Sequence, residues 1–300
     1  MEITKAIITA GGRGTRFLPV SSAYQKEMVP VMNKPQLQWV IEESIQSGIK
    51  EIAVVSREGV NTFADYLKDD NEFWVFLKQT GKESLMDSWL TMKSKVEFTL
   101  FEQKENDPYG NGTPFIITKD WAGGEAVIAM WGDDLLIHSD KSKPTCISQM
   151  MRYYNEFSPV AVMSVIEVPR VEIKRYGSYE YFDDEEKVVP YQAKSLVEKP
   201  SPQEAPSLYA NASRFVLTTD VFEELSNRVE GKGGELWLTD AVNRLMQKGK
   251  VVIAAPWEGS LWMPCGDPLR WLKANILTAM HSDEYQDEKS DLINFMSDLV

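Results

Sequence analysis

Glycines and cations are concentrated in one short segment, Ala10–Pro19, which reads Ala-Gly-Gly-Arg-Gly-Thr-Arg-Phe-Leu-Pro. Its three glycines allow backbone amides to approach phosphate oxygens closely, because glycine has no Cβ. Its two arginines remain protonated, and therefore positively charged, in proteins. Lys26 adds a third cation shortly afterwards in the sequence. The pattern indicates a binding site for a polyphosphate, and a plain strand-to-helix turn is the alternative.

Two other phosphate-binding patterns and one catalytic arrangement are excluded by the sequence. The Walker pattern requires Gly-Lys-Ser or Gly-Lys-Thr, and the chain contains neither triplet. The dinucleotide pattern requires a third glycine at the position where this chain has Phe17. His138 and His281 are the only histidines, and neither lies near a serine motif, which excludes a histidine-dependent triad.

An acidic pair, Asp133-Asp134, follows the apolar run Val127–Met130. Ligand sites in open α/β sheets lie beyond the carboxyl ends of the strands, and a carboxylate at such a strand end can hold Mg²⁺. We therefore expect Asp133 to bind the metal. Gly-Asp is also common in turns, which is the structural alternative.

The elements that must position these residues begin with a βαβ unit. A β-prone run at Lys5–Thr9 precedes the glycine-rich segment, a helical pattern covers Pro35–Gly48, and Glu51–Ser56 has the composition of a buried strand. Further strands are predicted at Val96–Phe101, Ala126–Met130, Val160–Ile166, Ser195–Val197, Ser213–Leu217 and Val251–Ala254. Helices are predicted near Asn61–Leu67, Ile147–Tyr154, Asp220–Leu225, Thr239–Gln247 and Pro268–Ala279. The order predicts an α/β fold with a doubly wound, mostly parallel mixed sheet and a small antiparallel excursion around Tyr176–Asp183.

Charge is distributed unevenly along this acidic chain. The formal net charge is −13, from 32 basic and 45 acidic residues, which argues against nucleic acid or an anionic membrane as a partner. Residues 1–40, which include the glycine-rich segment, nevertheless carry a net charge of +3, whereas residues 281–300 carry a net charge of −5. We expect a catalytic domain over residues 1–280, followed by an acidic tail or oligomerisation segment over residues 281–300.

The sequence also limits where the protein works. No apolar run approaches the roughly 18 residues that a membrane span requires, and the first residues lack the basic start and apolar core of a secretory signal. Cys146 and Cys265 are too few for a disulfide framework or a four-cysteine zinc site. We therefore expect a cytoplasmic protein with no membrane partner.

The glycine-rich segment is followed by Gln25–Val31, Gln-Lys-Glu-Met-Val-Pro-Val, and by Lys34-Pro35. Together these stretches resemble the signature of sugar-1-phosphate nucleotidyltransferases, and more narrowly that of bacterial UTP–glucose-1-phosphate uridylyltransferases. The resemblance continues in order through most of the chain. Further matching motifs are Gln103, Gly110-Asn111-Gly112, Gly132-Asp133-Asp134, Tyr176-Gly177, Glu198-Lys199-Pro200, Asn211–Arg214 and Glu235–Asp240.

The resemblance implies a Rossmann-like nucleotidyltransferase fold, Mg²⁺ as the cofactor, and a homodimer or homotetramer. It implies catalytic roles for Arg16 and Lys26. It implies nucleotide contacts from Ala10, Gly11, Gly12, Gly14, Thr15, Glu27, Gln103, Gly110 and Gly112, with Gln103 at the uracil edge. It implies sugar-phosphate contacts from Asp134, Tyr176, Gly177, Glu198, Lys199, Arg214 and Glu235. It implies metal binding by Asp133 and, as a substitute ligand, Asp267.

Three departures from the family pattern stand at the expected site. Gln25 replaces a proline, and Thr113-Pro114 replaces a histidine-alanine pair. Pro264 stands where the family has a metal-binding aspartate. Because proline cannot bind magnesium, either Asp267 substitutes or Asp133, phosphates and water hold the ion.

The reaction implied by the resemblance joins UTP and glucose 1-phosphate to give UDP-glucose and pyrophosphate. An anionic phosphate oxygen of the sugar attacks the α-phosphorus in line, so that no general base is needed. The departures favour one alternative, a catalytically weakened regulatory paralogue that binds sugar nucleotide or an active partner subunit. A thymidylyl- or adenylyltransferase and a glycosyltransferase remain as further alternatives.

Overall fold

The computed structural model describes residues 2–60, 62–68 and 71–298 of the chain. Its strands, in chain order, are β1 (Lys5–Ala10), β2 (Pro30–Val31), β3 (Lys34–Pro35), β4 (Glu51–Arg57), β5 (Glu97–Gln103), β6 (Val127–Trp131), β7 (Asp134–His138), β8 (Ala161–Glu167), β9 (Gly177–Tyr181), β10 (Ala193–Glu198), β11 (Tyr209–Leu217), β12 (Val252–Pro256) and β13 (Ser260–Pro264). Its helices are α1 (Gln36–Gln46), α2 (Thr62–Leu67), α3 (Glu72–Gln79), α4 (Asp87–Lys93), α5 (Thr113–Ile117), α6 (Lys119–Ala122), α7 (Cys146–Phe157), α8 (Thr219–Ser226), α9 (Leu238–Gln247), α10 (Pro268–His281) and α11 (Gln286–Ser297).

The main sheet has the strand order β10-β9-β11-β6-β1-β4-β5, and β8 joins β11 to β12. The pairs β1–β4, β1–β6, β4–β5 and β8–β12 are parallel. The long strand β11 runs antiparallel to β6, β8 and β9, and β9 pairs antiparallel with β10. The predicted mixed sheet is confirmed, and its antiparallel part extends beyond the predicted excursion because β11 contacts three neighbours.

Both faces of the sheet are covered, as the near-continuous apolar strands require. Along β1, Ile7 faces a core that includes α5, α8 and α9. Ile8 faces the opposite core, which includes α1 and α7. Successive side chains of a strand point to opposite faces, so a fully buried β1 must have helices on both sides. This arrangement confirms the predicted doubly wound fold.

Several elements differ from the sequence expectations. The helix predicted from Asn61 begins at Thr62 in the described residues, and Asn61 itself lies outside them. Helices α3 and α4 and the antiparallel pair β7–β13 were not predicted. The pair β7–β13 matters for the site, because Pro264 lies opposite Asp134 in its register.

The last helices contact the first third of the chain. The side-chain oxygen of Asn275 accepts a hydrogen bond from Met32 N at 2.8 Å, and Trp271 Nε1 donates to Pro30 O at 2.7 Å. Helix α11 occupies most of the segment predicted as an acidic tail or oligomerisation element. Within the described part of the chain, no helix combines the length and apolar character of a membrane span.

Candidate active site

The candidate site lies at the carboxyl ends of four neighbouring strands. The end of β1 lies beside β4 in register Ala10–Ser56, and the end of β4 lies beside β5 in register Arg57–Gln103. On the other side, β1 pairs with β6, whose last residue, Trp131, precedes Gly132 and Asp133. Parallel strands therefore deliver the glycine-rich segment, Gln103 and Asp133 to one edge of the sheet, where ligands of open α/β sheets bind.

The glycine-rich segment is folded directly onto Lys26. A Cβ added at Gly12 would lie 2.9 Å from Cε of Lys26, and one added at Gly14 would lie 3.2 Å from Cβ of Lys26. Gly14 also has φ +62°, a conformation that favours glycine. Thr15 and Arg16 follow on the exposed side of the segment. The glycines are therefore needed for the close approach of the segment to the predicted catalytic lysine.

Lys26 is held between two carboxylates. Its Nζ lies 2.5 Å from Oδ2 of Asp133 and 3.3 Å from Oε1 of Glu27. Burial alone would lower the pKa of Lys26, but the two carboxylates outweigh burial and hold this pKa above its ordinary value. The lysine is therefore a permanent cation at the strand ends.

Glu27 is the most deeply buried acid of this group. Its residue exposure is 0%, and burial raises the pKa of its carboxyl group to about 7 even though Lys26 acts in the opposite direction. Gly132 allows the side chain to reach this position, because a Cβ at Gly132 would lie 3.1 Å from Cγ of Glu27. The ion pair with Lys26 is the contact that the buried Glu27 carboxylate makes with a cation.

Asp133 lies between the glycine-rich segment and the end of β13. Its backbone carbonyl accepts a hydrogen bond from Cys265 N at 2.9 Å. A Cβ at Gly266 would lie 3.5 Å from Oδ2 of Asp133 and 3.7 Å from Nη1 of Arg16. The structure thus brings together the carboxylate predicted to bind metal and both predicted catalytic cations.

Asp134 has a different environment from its neighbour. Burial, followed by the nearby Asp133 carboxylate, raises the pKa of Asp134 to about 7, and Arg214 opposes this effect. The backbone carbonyl of Asp134 accepts a hydrogen bond from Nη2 of Arg214 at 2.9 Å. Asp134 is therefore part of the buried support beneath the strand end.

Gln103 lies beside the glycine-rich segment. Its Oε1 lies 3.3 Å from the position that a Cβ would take at Gly11, and its Nε2 donates to Pro108 O at 3.3 Å. Gln25, the replacement for the family proline, donates from Nε2 to Ala10 O at 3.3 Å and accepts from Arg57 Nη2 at 3.1 Å. Gln25 therefore ties the end of β1 to β4, which gives this departure a structural role.

Gly110 and Gly112, predicted to contact the base, pack against another part of the chain. A Cβ at Gly110 would lie 2.3 Å from Leu236 O, and Gly112 N donates to the same oxygen at 2.8 Å. Asn111 accepts from Leu238 N through its side-chain oxygen at 2.8 Å. The two glycines thus join the loop after β5 to the segment that carries Glu235.

Five of the predicted sugar-phosphate residues, Tyr176, Gly177, Glu198, Lys199 and Glu235, form a second group near the start of β9 and the end of β10. A Cβ at Gly177 would lie 3.2 Å from Oε2 of Glu198, and Lys199 N donates to Tyr176 O at 3.0 Å. Burial raises the pKa of Glu198. Nζ of Lys199 lies 4.5 Å from the ring centroid of Trp237 and 3.7 Å from Oε1 of Glu198. Glu235 is half-buried and precedes this tryptophan by two positions.

Two predicted site residues are committed to other contacts. Arg214 is fully buried, and its guanidinium donates twice to Oε2 of Glu43, at 2.9 and 2.7 Å. It lies in the core and supports Asp134 from behind, so a direct contact with sugar phosphate does not fit its position. Asp267 caps α10 by accepting from Arg270 N at 3.1 Å, and its second oxygen lies 3.5 Å from Arg270 Nε.

Some residues of the site were not identified from the sequence. Arg57 directly follows the predicted strand Glu51–Ser56, so the strand-end rule that identified Asp133 could have identified it as well. Glu43 lies in the middle of α1 and gave no local signal, because its partner Arg214 is distant in the sequence. Gly266 became apparent only from its contact with Asp133 and Arg16.

Comparison with known proteins gives one family. The sequence profile described as Nucleotidyl transferase matches residues 5–280 of the chain. A UTP–glucose-1-phosphate uridylyltransferase from Streptococcus pneumoniae serotype 4 is 33% identical over 298 residues, which are 99% of this chain and 96% of that protein.

Solved structures agree with the sequence comparison. A UTP-bound UGPase from Acinetobacter baumannii superimposes with a TM-score of 0.82 at 26% identity, and the match covers 97% of this chain and 99% of that one. A UDP-glucose pyrophosphorylase complexed with UDP-glucose gives a TM-score of 0.77 at 27% identity, with 91% and 97% covered.

Proposed function

This chain belongs to the nucleotidyl transferase family, and on that premise we propose that it transfers the uridylyl group of UTP to glucose 1-phosphate. The products are UDP-glucose and pyrophosphate. The observation that carries the proposal is the meeting of Lys26, Asp133 and the glycine-rich segment at one sheet edge. The nearly full-length relative named for this reaction supports the choice of substrates.

The reaction consists of one substitution at phosphorus. A phosphate oxygen of glucose 1-phosphate forms a bond to the α-phosphorus of UTP, the bond between that phosphorus and the bridging oxygen breaks, and the electron pair leaves with pyrophosphate. The attacking oxygen is already an anion, so no group on the protein has to remove a proton. The main barrier is the repulsion between two polyanions, which fixed cations reduce.

We assign the fixed cations to Arg16 and Lys26. Lys26 forms a direct ion pair with Asp133. Arg16 and Asp133 both approach Gly266 with their side chains. Arg16 is exposed and can meet an incoming triphosphate, whereas Lys26 lies beneath the glycines. Backbone amides of Gly11–Gly14 would cradle the phosphates.

We propose that a divalent cation, magnesium, binds beside Asp133. The Asp133 side chain is 17% exposed, so it is accessible from solvent. The buried carboxylate of Glu27 contacts the same ammonium as Asp133. When bound, the cation would neutralise phosphate charge and align the phosphates.

Specificity follows from the two flanking groups. Gln103 can present both a donor and an acceptor to the edge of a uracil ring, and its position beside Gly11 supports this role. Lys199 carries a cation to the end of β10, beside Glu198 and Tyr176. We propose that Lys199 binds the sugar phosphate and that Glu198 and Glu235 accept hydrogen bonds from sugar hydroxyls.

Pyrophosphate release from the purified chain tests the function. Each of UTP, dTTP, ATP and GTP is combined with glucose 1-phosphate, galactose 1-phosphate and an amino-sugar 1-phosphate at fixed magnesium. We expect UTP with glucose 1-phosphate to give the highest kcat/KM. Absence of turnover with every pair, combined with binding of UDP-glucose, would identify a regulatory paralogue instead of an enzyme.

The assembly, domain limits and location of the protein remain predictions. We propose a homodimer or homotetramer, a catalytic domain over residues 1–280 with an acidic segment at 281–300, and a cytoplasmic location. Sedimentation of the purified chain measures its oligomeric state, and a monomer at micromolar concentration would contradict the proposed homodimer or homotetramer.

A further inference from the structure

The metal site of this chain lacks a carboxylate on one side. Strand β13 brings Pro264 opposite Asp134, and the next residue, Cys265, donates its backbone N–H to Asp133 O at 2.9 Å. A carboxylate at position 264 would therefore lie beside Asp133. Proline offers no side-chain oxygen, and within the described residues no group of three or more acids, histidines or cysteines could hold a metal ion.

A second carboxylate, that of Glu27, contacts the same ammonium as Asp133. Glu27 has no solvent-exposed surface, and its Oε1 lies 3.3 Å from Nζ of Lys26. A buried carboxylate is costly, because it has lost its water. Such a group is expected to face a cation.

The cation that Glu27 faces is the ammonium of Lys26. The same nitrogen lies 3.3 Å from Oε1 of Glu27 and 2.5 Å from Oδ2 of Asp133. Two carboxylates thus share one charge that belongs to the protein itself. Bound phosphates would offer the ammonium a new anionic partner, and its departure would leave two carboxylates that both reach the vacated position.

We propose that Glu27 and Asp133 together form the divalent-cation site of this chain, and that the Lys26 ammonium occupies this site until phosphates draw it away. The inference rests on the proposed function, because that function supplies both the phosphates and the need for a metal. Two carboxylates with phosphates and water are a normal ligand set for magnesium. Glu27 thereby replaces the ligand that Pro264 cannot provide.

A purely structural role for Glu27 leads to different expectations. If Glu27 only neutralises Lys26, its charge is irrelevant to metal binding once Lys26 has moved. If the inference holds, Glu27 and Lys26 act on metal affinity in opposite directions, because one is a ligand and the other a competitor. This difference in sign is what the experiment measures.

The experiment measures Mn²⁺ binding to the full chain by electron paramagnetic resonance of free Mn²⁺. With saturating UDP-glucose and no pyrophosphate, turnover is impossible and binding alone is observed. We expect Glu27→Gln to weaken Mn²⁺ binding by about tenfold or more, and Asp267→Asn to leave it unchanged. Without nucleotide, Lys26→Met should bind Mn²⁺ more tightly than the original chain. Adding Pro264→Asp to Glu27→Gln should restore binding.

Three results would overturn the inference. They are unchanged Mn²⁺ affinity in Glu27→Gln, weakening by Asp267→Asn alone, and unchanged or weaker affinity in Lys26→Met. Should Glu27→Gln fail to fold, as thermal unfolding would show, the double variant Lys26→Met/Glu27→Gln is compared with Lys26→Met, and equal Mn²⁺ affinity of the two would overturn the inference. The proposed function is tested separately, because it fails if no pyrophosphate is released. An active enzyme whose Mn²⁺ affinity is unchanged by Glu27→Gln refutes only this inference.

Discussion

At the scale of single residues, the proposed site centres on one lysine that is partly buried and contacts two acids. The Lys26 side chain is only 16% exposed, and two carboxylates hold its pKa above the ordinary value. A cation that is present before the substrate arrives reduces the repulsion between the two polyanions. The acids therefore keep the lysine charged and hold it at the strand ends until phosphates bind.

Lys26→Met should consequently abolish most activity while leaving the fold intact. We expect kcat to fall by about 10²- to 10³-fold, as when one preorganised donor to a transition state is removed. Lys50→Met is the matched control, because Lys50 is an exposed lysine distant in sequence from the motif. Steady-state pyrophosphate release and thermal unfolding are measured on both variants. Turnover of Lys26→Met near that of the control would contradict its catalytic role.

The same residue scale shows what a sequence can reveal. Lys26, Asp133 and the glycines were identifiable because their types and order form a local signature. The sequence predicts a nucleotide contact for Glu27 and does not reveal its burial. This burial and the contact with Gly132 arise only when β1 and β6 lie side by side. Arg214 matches the family motif, yet its side chain points into the core because it pairs there with Glu43 of α1, which is distant in the sequence.

At the scale of elements, strand ends are held in place by contacts from behind the sheet. Helix α1 supplies Glu43, β11 supplies Arg214, and the guanidinium reaches the carbonyl of Asp134 at the start of β7. A buried guanidinium with several acceptors fixes one geometry, because its donors point in set directions. We interpret this pair as a positioning device for the turn that carries Asp133.

Glu43→Gln should destabilise the protein strongly, because it removes the carboxylate that pairs with a buried guanidinium. Arg214 is 1% exposed and Glu43 8% exposed at the side chain, and loss of one partner of such a pair costs about 3–5 kcal/mol. Lys250→Ala, which removes the exposed pair with Asp220, should cost only about 0–1 kcal/mol. Urea unfolding compares the two variants. Equal losses of unfolding free energy would show that the buried pair stabilises the protein no more than the exposed pair does.

The contact between Gly110 and Leu236 allows a second test at this scale. Gly110→Ala should be destabilising, since the added Cβ would lie 2.3 Å from Leu236 O at φ +138°. We expect a loss of about 1–3 kcal/mol, together with a higher KM for UTP. Gly124→Ala is the control, because Gly124 also has positive φ, +79°, but no atom within 4 Å of an added Cβ. Both variants are unfolded in urea, and equal losses would exclude the close contact as the cause.

The elements also show how far sequence patterns reach. The parallel strands and their flanking helices were predictable because apolar runs and helical periodicity are local properties. The pair β7–β13 was not, since its partners are far apart in the chain and β13 includes the polar and proline positions Ser260 and Pro264. Helix α11 had a charge pattern that fitted either a tail or a helix. Long-range pairing decided these cases, and no single segment contains that information.

At the scale of the whole molecule, the C-terminal part of the chain contacts the hairpin that follows Lys26. The hairpin β2–β3 follows Lys26–Met28 directly. Helix α10 contacts this hairpin through Asn275 and Trp271. Beyond α10, Glu284 pairs with Lys34 at 2.6 Å, and Tyr285 is hydrogen-bonded to Asn33. The C-terminal helices therefore act as a clamp on the hairpin that positions Lys26.

Asn275→Ala should weaken this clamp, because it removes the acceptor for Met32 N at the tip of the hairpin. Met32 has φ +53°, so the hydrogen bond also supports a strained backbone position. We expect a loss of about 1–3 kcal/mol in unfolding free energy and a lower kcat with little change in KM, since the hairpin follows Lys26 in the chain and the proposed mechanism gives it no substrate contact. Asn275→Asp keeps an acceptor oxygen and should retain more stability and activity than the alanine variant. Urea unfolding and steady-state kinetics are measured on both, and two variants with equal losses, or an alanine variant with unaltered kcat, would show that the C-terminal helices do not control the catalytic lysine.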